Sequence, residues 1–293
     1  MSWIPLGEHA RQTLKIPGSA DFLALEGNDA WVTNEGRVEK LTPSSPVKVA
    51  SVSVGEPCGG MAIDFGSLWV VDCKGRALVR IDLASHRIVA EIPTGIADPQ
   101  GELSVATGAG AVWLLTDAAG VLSRVDPATN RVTARIPVAP GSFAAVFGFG
   151  SVWISNTGDR PGTPGSVQRI DPESNAVVAQ IPVGPGPRFL AAGEGAVWTL
   201  NQGDGTVSRV DPESNRLVAT IPTEVPGSGG DIAVGGGRVW VRATSILLSV
   251  IDPTSQRVTV RFGPPSGSGA VRANRSVVWI TAHDIQTAWV LKP

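Results

Sequence analysis

The sequence predicts an all-β fold: a seven-bladed β-propeller of four-stranded antiparallel blades, its ring closed by the N-terminal strand. Three observations predict it. One phrase recurs along the 293 residues, with clear copies at 195–222 (GAVWTLNQGDGTVSRVDPESNRLVATIP) and 110–137 (GAVWLLTDAAGVLSRVDPATNRVTARIP). Its tryptophan falls at Trp31, Trp69, Trp113, Trp153, Trp198, Trp240 and Trp279, spaced 38 to 45 residues apart. The apolar runs inside each copy have the period of strands. Finally, the last copy ends one strand short, and residues 11–18 carry the missing one.

A repeat of this size means a propeller, a solenoid or an array, and the content of the unit decides between them. Here TVSRV and RLVATI alternate or run apolar with β-branched residues, bounded by Gly, Pro, Asn and Asp. No apolar stretch of helical period is free of such breakers, so almost no helix is expected. Four runs fit each unit; in the fifth they cover 189–192, 196–200, 206–210 and 216–222. Short antiparallel strands in groups of four, repeated radially, make propeller blades.

The turns agree. DPESN, DPATN and DPTSQ join the third strand to the fourth: Asp opens the turn, Pro presets φ, and Asn accepts the left-handed region. Asp126, Asp171, Asp211 and Asp252 are therefore read as scaffold residues. The link between the first two strands usually ends in Gly, as a two-residue hairpin needing φ > 0 requires. In the last unit VVWIT and TAWVLKP supply strands, but the counterpart of VVATIPVG stands at 11–18 as RQTLKIPG. That strand completes the final blade and removes an exposed edge, giving one domain over 1–293.

Composition limits the function classes. With 42% hydrophobic residues the chain can bury a sizeable core, and its net charge of −2 comes without a Lys/Arg stripe, which argues against nucleic acid. No apolar run approaches the ~18 residues of a membrane span. The start, MSWIPLGEHARQ, lacks the basic and apolar regions of a signal peptide. Because a removed leader would leave the same start, the compartment stays open, extracytoplasmic if one was removed. A monomer is expected.

WVTN at 31–34 and GTVSRVDPESNRLVATIP at 205–222 resemble the repeat of the YVTN-type β-propellers, over essentially the whole chain. The same broad group includes the virginiamycin B lyase-like proteins, so the resemblance implies seven blades and a place among propellers that host binding and lyase functions. Where the lyases carry W-F-T-E, this chain reads WVTN, WVVD, WLLT, WISN and WTLN.

Function is sought where blades break their own consensus on the top face, the end at which propellers bind ligands. A two-residue hairpin turn fixes the register and opposes four pairs there: Cys58 with Cys73, Glu102 with Asp117, Asp231 with Arg242, and Ser268 with His283. Cys58 and Cys73, the only cysteines, are either a disulfide, which would favour an oxidising compartment, or two buried thiols. Asp231 and Arg242 form either an ion pair that holds blade six together or a cation that meets a ligand's carboxylate or phosphate. Opposed carboxylates repel, so Glu102 and Asp117 need a shared proton, solvent at the rim, or a hard cation, Mg²⁺ or Ca²⁺. Asn34, Asp72, Asn156 and Asn201 ring the same level and either add oxygens or cap their own turns.

His283 is the candidate acid–base group, since imidazole titrates near neutral pH; three histidines are too few for a four-His iron centre. Phe22, Phe143, Phe189 and Arg188 begin inner strands, where small residues would leave a channel, so they either plug it or line an apolar pocket. The tryptophan series recurs in every blade and belongs to the core. P-loop, nucleophile-elbow, H-E-x-x-H and dinucleotide signatures are missing.

Two functions follow. The first is a propeller that binds a small molecule, peptide or partner at the top mouth, with Arg188, Asp231, Arg242, Phe143, Phe189 and Phe22 as contacts. The second is a metal-assisted lyase or lactonase with His283 and Glu102 catalytic and Glu102 and Asp117 holding the ion.

Overall fold

Each repeat folds as its alternation requires. The computed structural model describes residues 2–95, 102–117, 120–158, 163–223 and 229–293, with the side chains of 45–47 and 116–117 excepted. Seven sheets stand in a ring, each with four antiparallel strands that run in chain order from the axis outward, except that the outer strand of the last comes from the N-terminus. Blade five shows the pattern: Pro187–Gly193, Ala196–Asn201, Thr206–Asp211 and Arg216–Pro222. The hairpins between first and second strands carry consecutive left-handed residues, such as Phe65 and Gly66, Ala109 and Gly110, or Glu194 and Gly195. They fix the expected register: Ala191 opposes Trp198 and Asp231 opposes Arg242.

The buried apolar side chains fall into seven clusters, each spanning one interface between neighbouring blades. Six of the seven recurring tryptophans are wholly buried and the seventh, Trp240, nearly so. A second device is laid over this packing. Arg80, Arg124 and Arg169 each stack on the tryptophan of their own blade, 4.9 to 5.1 Å from the ring centre. Each then donates to the turn of the next blade. Arg124 Nη1 reaches Pro172 O at 2.9 Å and Asn175 Oδ1 at 3.0 Å, and Arg80 and Arg169 repeat this with Pro127 and Asn130, and Pro212 and Asn215. The turn asparagines thus serve twice. They adopt φ of 54 to 55°, and their side chains receive the neighbouring arginine. The turn aspartates accept the following N–H groups, as Asp126 does from Ala128 at 2.8 Å.

The ring closes as the sequence predicts. Gln12–Lys15 pairs antiparallel with Thr287–Leu291 and forms the outer strand of blade seven. Leu14 and Ile16 join the cluster between blades seven and one. One further tie was not expected: Ile4–Pro5 adds a short parallel strand to the outer edge of blade six, against Phe262 and Gly263. Two residues that include a proline carry no alternation by which such a strand could be read. Among the described residues the helical content is one turn at Leu6–His9 and a 3₁₀ turn at His283–Ile285. Among the described residues no helix is long and apolar enough to cross a membrane. At the top of blade two Cys58 and Cys73 form a disulfide, their Cα atoms 5.8 Å apart, which resolves the two alternatives for the cysteines.

Two outcomes are expected. Leu14→Ala, at a site only 4% exposed, should lower stability by about 2–5 kcal/mol in urea titration, the usual loss for a buried leucine. The denatured, unreduced chain should show no free thiol. Reducing the bridge, which spans 15 residues, should cost about 3 kcal/mol.

Candidate functional site

The inner strands shape the channel. Opposite each tryptophan stands a small residue, Ala24, Ala62, Ala106, Val146, Ala191 or Ala233, until blade seven, where Arg272 takes the place. These side chains leave a central cavity of about 280 Å³, whose lining includes Phe22, Phe143, Phe189, Glu102 and Arg272. The aromatics line it without plugging it. Phe143 meets Phe189 edge-on at 5.3 Å, and the Arg188 guanidinium lies 4.8 Å over the Phe143 ring.

Four predicted residues share this mouth. Glu102 feels the charges of Arg188, Asp231 and His283, and also that of Asp21, which the sequence reading passed over. Its side chain reaches water, but water enclosed by seven blades. Loss of bulk solvent, then the Asp21 carboxylate, raises its pKa above the ordinary glutamate value against the pull of Arg188, with Asp231 adding to the rise. A small side cavity of about 40 Å³ is lined by Asp21, Glu102, Arg188, Phe189 and Asp231 among others.

The expected pair of Asp231 and Arg242 does not form. The two are register partners, yet both side chains reach across to blade seven. Asp231 accepts from Arg272 Nη1 and from the N–H groups of Val271 and Ile232. Arg242, wholly buried, donates through Nε to Thr281 O at 3.2 Å, through Nη2 to Gly267 O at 2.7 Å, and through Nη1 to Ala243 O. It is a clamp between blades and presents no cation to the mouth. Burial brings its pKa down to about 10, so it stays charged at neutral pH. Arg272, the cation the sequence reading missed, had a signal: it alone breaks a ring of small residues.

His283 closes the mouth between blades seven and one. Its Nδ1 lies 3.5 Å from Asp21 Oδ1 and its Nε2 3.1 Å from Asp284 Oδ1. The contact with Asp21 raises its pKa, against partial burial, so the imidazolium is favoured. The raised proton affinity suits the imidazole to a donor role.

The side chain of Asp117, second half of the expected carboxylate pair, lies outside the described residues. Among the described residues no three His, Cys, Asp or Glu side chains gather as a metal-binding group. The oxygens at the same level are spent on loops. Asp72 accepts the N–H of Glu56 at 2.9 Å and Asn34 that of Ser19 at 2.9 Å, while Asn201 accepts the Thr199 hydroxyl at 2.7 Å. Asn156 accepts the N–H of Gly158 at 3.0 Å. Asp72, Asn34 and Asn156 thus cap their own turns, the second of the two expected roles, while Asn201 bonds Thr199, Thr206 and Ser208 on the strands of its own blade.

No family model and no curated protein matches the sequence. Solved structures do match in fold. Virginiamycin B lyase from Staphylococcus aureus superposes with a TM-score of 0.76 at 11% identity, over 96% of this chain and 98% of that one. A catalytically inactive form of the same lyase, solved with quinupristin, gives 0.80 at 11% identity over 96% and 98%. Hydrazine synthase from Kuenenia stuttgartiensis gives 0.81 at 12% identity over 95% and 96%. At such identities the likeness is one of fold: a virginiamycin B lyase-like, seven-bladed propeller.

The His283 contacts predict a pH dependence. A histidine with a raised folded pKa stabilises fully below its unfolded value of about 6.5, and that stability is lost as pH rises through the folded value. The urea midpoint of the wild type should therefore fall relative to that of His283→Gln as pH increases above 6.5. Parallel profiles for the two proteins would show that the imidazolium contributes nothing.

Proposed function

We propose that the protein binds a small molecule or short peptide at the top mouth of its central channel. The observation that carries this reading is a pair of charges the fold does not use. Among the described residues, the Glu102 carboxylate and the Arg188 guanidinium make no hydrogen bond or ion pair; both border the small side cavity with Phe22 and Phe189, and Glu102 also lines the central one. Concave sites with a few convergent polar groups are the usual form of ligand pockets. Scaffold charges, by contrast, are satisfied elsewhere, as in the turn aspartates and Arg242.

A second reading is lyase chemistry, supported by the raised proton affinity of Glu102 beside the His283 imidazolium and by fold likeness to virginiamycin B lyase. In it Glu102 takes a proton from the substrate and His283 gives one to the leaving group. A Mg²⁺- or Ca²⁺-assisted form would rest on Glu102 and Asp117.

Ligand-observed NMR against a fragment library tests binding. Fragments should compete for one site, and Phe189→Ala should weaken them by about tenfold or more, the worth of a buried phenylalanine contact. Binding unaffected by Phe189→Ala would move the site away from the channel. Chromatography of quinupristin incubated with the protein tests the lyase reading. Consumption that falls ~10²–10⁴-fold in His283→Ala or Glu102→Gln supports it, EDTA treatment tests the metal, and undiminished quinupristin counts against it.

A further inference from the structure

We infer that the mouth selects a zwitterion, an amino acid or peptide end whose ammonium meets Glu102, whose carboxylate meets Arg188, and whose apolar body lies among the phenylalanines. This rests on the binding reading above and adds the ligand's charge pattern. Glu102 and Arg188 sit in blades three and five, border the same side cavity and act on each other electrostatically, yet do not bond. Stacking keeps them apart. The guanidinium is held 4.8 Å over Phe143, which is itself fixed edge-on against Phe189 at 5.3 Å. Two opposite charges held apart at the edge of a pocket leave two unfilled bonding positions of opposite sign.

The remaining charges narrow the choice. A plain anion reaching Arg188 would also face the carboxylates of Glu102 and Asp21, and a plain cation reaching Glu102 would face Arg188 and the imidazolium of His283. Each is attracted by one group and repelled by the other, which is how a site rejects wrong partners. A ligand with both charges bonds both groups and meets net attraction at each. Asp231 adds a further carboxylate facing Glu102, partly offset by the Arg272 guanidinium bonded to it. Phe22, Phe143 and Phe189 supply apolar contact for a side chain of matching size.

Four probes with one side chain separate the charges at about pH 7, where an α-amino group is largely protonated: L-phenylalanine, N-acetyl-L-phenylalanine, L-phenylalaninamide and N-acetyl-L-phenylalaninamide. L-phenylalanine should bind most tightly by NMR titration, with each singly charged probe about tenfold weaker. Glu102→Gln should erase the advantage of a free amine and leave that of the carboxylate. Arg188→Met should do the reverse. Both variants should melt like the wild type, since neither side chain bonds to the scaffold. A ranking blind to charge, or variants that weaken all four probes equally, would overturn the inference while leaving a binding site in place. So would binding of library fragments at Phe189 with none of the four probes. Binding of no fragment and no probe would remove both.

Discussion

An arginine laid on a tryptophan fastens blades two, three and four each to the next. The cation stacks on its own blade's indole and ends its reach on the carbonyl and asparagine of the following turn, so one side chain reports the position of two sheets. Charge-assisted hydrogen bonds of this kind contribute about 1.5–3 kcal/mol and the stacking about 0.5–2 kcal/mol, beyond the burial of the ring. Blade five keeps only the stack, Arg209 over Trp198 at 5.6 Å, and the three remaining blades lack the arginine. At the position of the arginine, blade one has Lys40, paired with Glu26 at 2.9 Å, and blades six and seven have Val250 and Val290. There the Arg242 clamp, the contact of His283 with Asp21, and the two N-terminal strands hold blades six, seven and one together. The angle and spacing of the blades, and so the bore of the channel, follow from these ties.

The candidate site is what remains once the scaffold's needs are met. Small residues opposite the tryptophans keep the bore open, and a scaffold has no use for a free carboxylate or guanidinium at its rim. The ties explain the firmness of the site as well. Arg188 stands on the inner strand Pro187–Gly193 and Glu102 just ahead of the inner strand Val105–Gly108, so their separation follows from the ring and from the Phe143 stack.

Much of this was legible in the sequence because period and turn chemistry are local. The tryptophan spacing, the D-P-x-x-N turns and the displaced strand at 11–18 led to seven blades and to the correct ring closure. A two-residue hairpin led to the correct register beside the tryptophans, and Cys58 and Cys73 are joined as a pair, although at the top of blade two the backbone bridge runs from Pro57 to Asp72. Register, however, fixes which backbones are opposed and says nothing about where long side chains end. Asp231 and Arg242 are the clear case: opposed as expected, they bond to different atoms of blade seven. Asp21 was missed because it stands at the end of a strand among unlike neighbours, where no repeat makes it conspicuous. Arg272 replaces a small residue, but it lies opposite Trp279, a few residues deeper along its strand than the rim positions where blades depart from their consensus.

The pairing of Gln12–Lys15 with Thr287–Leu291 also sets an order of assembly. Blades one to six each contain consecutive stretches of chain and can form as synthesis proceeds, every hairpin closing over a few residues. Blade seven joins residues made near the start to residues made near the end, and such long closures are slow. Until then the early segment has no partner and the facing edges of blades one and six stay bare to other chains. The last bond of the circle, not the number of blades, therefore limits how soon the molecule is safe from its neighbours.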